Sequence, residues 1–403
     1  MLESVRQYAL DKLLENGENE LMRDRHTAYF VKLAEDAGSK LGGAEQEYWL
    51  GRLETEHDNL RAAFDYCMKQ GNVESGLSLV GDLSRFWMIR GHVSEGRRRC
   101  AEVLDGSDVL PPSAPLAKAI HTAGNLSYVQ GDYEAARSCY EQAAGMRQTL
   151  GDRAGEVGSR INLATILQSE GKTDVARSQF EYSLKIFEEL DDTYGMSVAL
   201  GCLGSVATDQ LDFSGSLNYF HRAIEAAKKL GSLSAEANSL NNQGTAYRQL
   251  GDEASARRCY EDALAINIKL GYTLEIALTR VNLSMADVRE GDFEGARAHL
   301  VDSIGKLKAI GARANISSWM ETMAEYEVAI GRLDRAACLL GAAAAHRTLM
   351  KNPLPRPEAG PVKAIQEEMV ATLGQEAFDV AYSEGQSMDF DSAIDYALNI
   401  NTD

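Results

Sequence analysis

A period of 40 residues, kept without insertion or deletion through six units, constrains this chain more than any other feature. Gly131, Gly171, Gly251, Gly291 and Gly331 stand on one lattice, broken only by Leu211. A second lattice, 20 residues out of phase, carries Gly151, Gly231, Gly271 and Gly311, with Asp191 in the gap. Each unit is therefore two segments of similar length, each closed by a glycine. Glycine takes the left-handed conformation that ends a helix. One hairpin of this size cannot bury its own apolar face, so such units stack into a solenoid.

The columns between the glycines have helical spacing. One is small throughout: Gly124, Ala164, Gly204, Gly244, Ser284 and Ala324. A second is also small: Ala136, Ala176, Ser216, Ala256, Ala296 and Ala336. Four residues on stands a large column, Tyr140, Phe180, Phe220, Tyr260, Leu300 and Leu340. Three further on comes another small one, Ala143, Ser183, Ala223, Ala263, Ser303 and Ala343. Steps of three and four put these side chains on one helical face. Alternating large and small residues let two helices interlock. Ahead of each second-lattice position stands a bulky apolar residue: Leu150, Leu190, Leu230, Leu270 and Ile310. Helices of about 16 residues would be about 24 Å long.

These columns resemble the tetratricopeptide repeat from about Leu116 to Met350, with a 40-residue period where 34 is usual. Gly124, the Gly131-Asp132-Tyr133 turn, Ala136, Tyr140 and Ala143 match its consensus in order, as do Gly251-Asp252, Ala256, Tyr260 and Ala263. Leu211, Leu300 and Leu340 depart from it. The expected fold is all-α, a right-handed superhelical solenoid of tetratricopeptide-type helical hairpins.

All seven prolines fall in two clusters, at 111–115 and 353–361, and are expected in turns or linkers. Four regions follow. Residues 1–43 are a helical segment and 44–115 are helical hairpins with a degenerate repeat around Gly91. Residues 116–350 hold the six repeats, and 351–403 form a Pro-rich linker and a helical cap. The stretch MLESVRQYALDKLLENGENELMRDRHTAYFVKLAEDA resembles the join between a winged-helix module and the repeats of bacterial signal-transduction ATPases of the STAND type. WLGRLETEHDNLRAAFDY and LGQEAFDVAYSEGQSMDFDSAIDYAL resemble the same group. The resemblance implies a sensing region that works with an NTPase and an output domain, neither of which it places in this chain.

Composition narrows the partners. A net charge of -19 argues against wrapping nucleic acid or lying on an anionic membrane. Solubility explains it, and a basic partner is the sharper alternative. The first residues carry Glu3 and Arg6 and no apolar core, unlike a signal peptide. The most apolar run, AACLLGAAAAH, is too short to span a bilayer. Six cysteines lie far apart with no CxxC, as expected of reduced thiols in the cytoplasm.

No catalytic constellation is visible, so a non-enzymatic protein without cofactor is expected. Gly171-Lys172-Thr173 lacks the earlier glycine of a phosphate loop, since Ile166 stands there; the triplet is the repeat's own turn. Glu56-His57-Asp58 are consecutive, so on a helix they diverge and do not converge on a metal.

One polar set stands out. Asn238, Asn242, Thr245 and Gln249 form a single helical stripe, with Arg248 beside it. Equivalent positions carry Asn162 and Thr165, then Asn282 and Arg289, and Asn125 one unit earlier. In tetratricopeptide arrays the first helices line the concave groove, and such columns contact peptides. Asparagine offers a peptide backbone both donor and acceptor, and Arg248 and Arg289 suit a carboxylate. Equally, the asparagines can tie neighbouring repeats together. The resulting expectation is a binding module for a peptide, protein or small ligand within a STAND-type regulator. The alternative is a free-standing adaptor with no NTPase partner.

Overall fold

The computed structural model describes residues 15–399 together with Tyr8, Lys12 and Leu13. The expected N-terminal helical segment therefore lies partly outside the described residues. Among those described, all regular structure is helical. The N-terminal part comprises α1 (Asn19–Lys40), α2 (Gln46–Thr55) and α3 (His57–Lys69). The degenerate hairpin is α4 (Val73–Arg90) and α5 (Val93–Leu104).

Six hairpins follow: α6 (Ala114–Val129) with α7 (Tyr133–Leu150), α8 (Arg153–Ser169) with α9 (Thr173–Glu189), and α10 (Thr193–Asp209) with α11 (Phe213–Leu230). The rest are α12 (Leu233–Gln249) with α13 (Glu253–Leu270), α14 (Thr273–Glu290) with α15 (Phe293–Ile310), and α16 (Ile316–Ala329) with α17 (Leu333–Met350). The chain closes with α18 (Arg356–Leu373), α19 (Gln375–Ser387) and α20 (Phe390–Leu398).

The turns explain the lattices. The lattice glycines all adopt positive φ, and so do Leu211 and Asp191, at 66° and 53°. The turn is thus kept even where its preferred residue is lost. After six of the eleven lattice turns stands an aspartate that caps the next helix. Asp132, Asp152, Asp192, Asp212, Asp252 and Asp292 each accept a hydrogen bond from a backbone N–H three residues on. Such a cap contributes about 1 kcal/mol, and its charge also favours the helix N-terminus.

The columns make the core. The large column from Tyr140 to Leu340 is buried throughout, as are both small columns that follow the turn. A Cβ on Gly124, Gly204 or Gly244 would meet the aromatic ring sixteen residues later at 2.5–2.7 Å. The large residue of each second helix therefore sits on the small residue of its own first helix.

The solenoid coils tightly enough that successive turns touch. Gln46 Nε2 donates to Ser234 Oγ at 2.8 Å and Gln46 Oε1 accepts from Ser234 N at 3.0 Å, across 188 residues. Gln130 Nε2 reaches Ile310 O at 3.5 Å, across 180 residues. Lys269 pairs with Glu47 at 2.8 Å. One superhelical turn thus takes about four and a half repeats. This seam explains an inconsistency within one column. Leu150 and Leu190 are 41% and 40% exposed, whereas Leu270 and Ile310 are 0% and 2%. Around Gly271 and Gly311, side chains from the preceding coil (Arg90 and Gln130) pack against the turns, and Ile310 itself reaches Gly91. Covering one such side chain contributes about 2 kcal/mol.

The expectation for the prolines needs one correction. Pro111, Pro112, Pro353 and Pro355 lie outside helices, but Pro357 and Pro361 lie inside α18, and Pro115 is in the first turn of α6. First-turn amides have no intrahelical partner, so proline costs little there. Pro361 follows so closely that it disturbs only the start of the ladder.

Candidate functional site

The first helices of the hairpins face the axis of the coil, and coiling turns their concave face into a channel. Residues 40 apart line it in register: Arg85, Asn125, Thr165 and Ser205 form one column, and Met88, Tyr128 and Gln168 another. Three cavities follow one another along it. The first, about 460 Å³, is bounded by Asp82, Arg85, Lys118, His121, Asn125 and Asn162 among others. The second, about 250 Å³, lies between Met88, Tyr194, Cys202, Asn238, Asn242 and Tyr272. The third, about 630 Å³, opens between Tyr128, Gln168, Asp209, the linker residues 352–355 and Arg356 at the start of α18.

Arg85 borders both of the first two cavities. Its guanidinium lies 4.1 Å from the centroid of the Tyr194 ring, a cation–π contact across the channel. Among the described residues no carboxylate lies within ion-pair distance of it. In the second cavity Asn238 Oδ1 is buried with no hydrogen-bond partner. The channel thus holds a half-buried cation and an acceptor that nothing in the fold satisfies.

Other buried charges near the channel are paired or shifted by burial, while Arg356 beside the third cavity is exposed. Asp82 pairs with Lys118, yet burial dominates and raises its pKa. Burial also raises Asp209, which accepts from Gln168 Nε2 at 2.7 Å. Burial and the neighbouring Arg147 push His121 down to about 3, so it is neutral at pH 7. Glu275 is pushed up to about 7 by burial alone, and Glu325 to about 7 by burial against the pull of Arg248.

The ten residues singled out from the sequence divide into groups. Asn238, Asn242 and Thr165 line the channel. Asn125 and Asn162 line it too, but they also bond each other, Asn162 Nδ2 donating to Asn125 Oδ1 at 3.0 Å. Asn125 Oδ1 accepts as well from Tyr140 Oη at 3.0 Å. Asn282 Nδ2 donates to Asn241 Oδ1 at 3.0 Å, so its partner is the neighbour of the residue on its own lattice. Thr245 Oγ1 receives the Tyr260 hydroxyl at 3.4 Å. Arg289 is paired with Glu253.

Arg248 and Gln249 already hold a carboxylate. Arg248 Nη2 donates to Glu358 Oε1 at 2.6 Å and Gln249 Nε2 to the same oxygen at 3.1 Å. Glu358 sits at the start of α18, just past the linker that borders the third cavity. The chain's own C-terminal strap therefore satisfies the pair of side chains suited to an anion.

Sequence reasoning missed Arg85, Tyr194, Glu275 and Glu358. Arg85 was legible: it lies on the same register as Asn125 and Thr165, one unit upstream. Tyr194 and Glu358 were not, because only the coil brings them to the axis.

Residues 116–189 and 195–269 match the family model described as tetratricopeptide repeat. Over 96 residues, 24% of this chain, it is 38% identical to proteins of Mycobacterium tuberculosis and Mycobacterium bovis that carry the name of an HTH-type transcriptional regulator. That stretch spans 11% of those relatives' length. Among solved structures, a Rap protein complexed with competence and sporulation factor superposes with TM-score 0.55 at 14% identity, covering 85% of this chain and 99% of that one. A STAND protein with a tetratricopeptide repeat sensor from Pyrococcus horikoshii gives TM-score 0.50 at 16% identity, covering 88% of this chain and 55% of that one. Repeat period, packing columns and helical hairpins agree with that match: residues 116–189 and 195–269 carry tetratricopeptide repeats.

Proposed function

We propose that this chain is the non-catalytic sensing and interaction region of a STAND-type regulator, and that it takes a peptide or partner segment inside its axial channel. The observation that carries this reading is the second cavity, where Arg85 has no anion and Asn238 Oδ1 has no donor. Unsatisfied buried polar groups are costly, and a bound chain with its own donors and acceptors removes that cost. Support also comes from the relatives: one similar fold is complexed with competence and sporulation factor, another is a STAND protein with a tetratricopeptide repeat sensor, and the curated relatives carry a regulator's name.

The mechanism follows from the seam. Arg85 and Tyr194 belong to different parts of the coil, yet both face one cavity. A ligand touching both binds the closed coil better than an opened one. That difference in affinity is what shifts a two-state equilibrium and passes a signal to a neighbouring domain.

A random-sequence peptide library enriched on the immobilised protein tests the proposal. Ser205→Trp fills the channel from a partly exposed position. Enriched peptides that bind wild type and lose at least about tenfold on Ser205→Trp, with helicity unchanged, are the expected result. No enrichment, or binding indifferent to Ser205→Trp, would sink it. An immunoblot of source cells decides between regulator and adaptor: a band well above 44.0 kDa supports the regulator, a band at 44.0 kDa the adaptor.

A further inference from the structure

Away from the channel, two histidines and two glutamates meet where the N-terminal helices dock on the degenerate hairpin. Glu54 stands near the end of α2, His57 at the start of α3, His92 in the turn between α4 and α5, and Glu95 in the first turn of α5. The sequence pairs His57 with its neighbours Glu56 and Asp58, which diverge. The fold instead pairs it with residues one helix turn back and 35 residues ahead.

The two imidazole rings lie with centroids 4.2 Å apart at 50°. His92 Nε2 is 3.3 Å from Glu54 Oε1, and His57 Nε2 is 3.4 Å from Glu95 Oε1. One donor atom each from Glu54, His57 and His92 lies within 4.8 Å of the other two. Phe86 closes one side, its ring 5.0 Å from His57 and 5.3 Å from His92. His57 is only 7% exposed, and its Nε2 is buried without a hydrogen-bond partner.

We propose that Glu54, His57 and His92 form a binding site for a divalent transition metal of the zinc class. Zinc with nitrogen and oxygen ligands needs bonds of about 2.0–2.2 Å, so tetrahedral donors stand about 3.4 Å apart. The donors here are within side-chain rotation of that spacing and come from three separate elements. Two imidazoles favour zinc, cobalt, nickel or copper over magnesium and calcium, which take oxygen donors. Burial, and then the neighbouring His57, lower the proton affinity of His92.

The surrounding charges set the selectivity. Arg61 holds Glu95 with two hydrogen bonds, at 2.5 and 2.9 Å, which fixes that carboxylate 3.4 Å from His57 Nε2. Arg90 Nε lies 3.8 Å from Glu54 and has no hydrogen-bond partner. Two arginines offset two glutamates, so a cation is held by imidazole coordination and not by net negative charge. A metal here ties α2, α3 and the α4–α5 turn together. It would therefore stiffen the junction between the N-terminal helices and the repeats, independently of what the channel binds.

The test uses the full chain, freed of metal with a chelator and titrated with cobalt(II), then with zinc(II) as competitor. The expected result is one saturable site with the visible d–d bands of a four-coordinate nitrogen–oxygen environment, displaced by zinc, and a higher thermal midpoint with metal. His92→Asn should weaken cobalt binding by at least about 100-fold. Glu54 is on the surface, so Glu54→Gln keeps the fold and should weaken binding by at least about 10-fold should His92→Asn fail to fold. Absence of saturable binding, affinity unchanged in Glu54→Gln and His92→Asn, or a thiolate-to-cobalt charge-transfer band in place of the d–d signature would overturn the proposal.

Discussion

Two glycines on one lattice, 80 residues apart, test whether the coil is closed. Gly151 and Gly231 both end a second helix at φ 73°. Alanine at either position carries the same backbone cost. A left-handed L-residue costs roughly 1–2 kcal/mol, offset by about 0.4–1 kcal/mol because alanine has less freedom in the unfolded chain. The shared loss is therefore about 1 kcal/mol. Their surroundings differ. A Cβ on Gly151 meets nothing within 4 Å, whereas on Gly231 it meets Ala44 Cβ at 2.8 Å and Ala44 Cα at 3.0 Å. Ala44 has little room to retreat, because Gln46 beside it is bonded to both Leu41 and Ser234. Overpacking of this kind costs about 1–3 kcal/mol. Gly231→Ala should thus lose about 2 kcal/mol more than Gly151→Ala. Urea unfolding followed by far-UV circular dichroism gives the difference in midpoint, and solution scattering shows whether the coil opens. In an open solenoid each repeat touches only its neighbours, and the two variants would be equivalent. Losses equal within about 0.5 kcal/mol would refute the seam.

Three further outcomes follow from the same structure. Asn282→Ala leaves Asn241 without its donor and should cost about 1–3 kcal/mol, while Asn242→Ala should cost under about 0.5 kcal/mol; comparable losses in urea unfolding would contradict the division between tying and channel-lining asparagines. Glu275 is raised to about 7 in the folded chain, so the folded state holds a proton that the unfolded chain releases above its ordinary 4.5. Its contribution is present below that value and lost as pH rises through about 7, so Glu275→Gln should match wild type at pH 4 and exceed its stability at pH 8 by up to about 3 kcal/mol; an unchanged stability difference between those pH values would refute it. Glu358→Ala leaves Arg248 as an uncompensated buried charge and should release the strap at a cost of about 3 kcal/mol, read as faster amide exchange across residues 352–372; unchanged exchange would show that the ion pair does not hold it.

The sequence by itself determined the hairpins. Spacings of three and four, glycines at fixed intervals and the small and large columns are all local, and local terms decide helix length, turn and face. Leu211 and Asp191 mark the exception: both adopt the left-handed turn although neither is glycine, so the packed helices on either side impose it there. The concave stripe was legible for the same reason, since Asn238 and Asn242 share a helix with their neighbours in the pattern. The aspartate caps were legible too, standing one residue after the lattice positions. What only the tertiary structure decided is everything that depends on the pitch of the coil. That pitch is a small rotation per repeat, set by how side chains of adjacent helices settle against each other, and it accumulates over about four and a half repeats. No single spacing carries it. It brings Gln46 to Ser234, Arg85 to Tyr194 and Glu358 to Arg248, and it buries Leu270 while leaving Leu150 in solvent. The chain wrote the wall of the channel residue by residue, but the closing of that wall is a sum over repeats, which only the folded molecule performs.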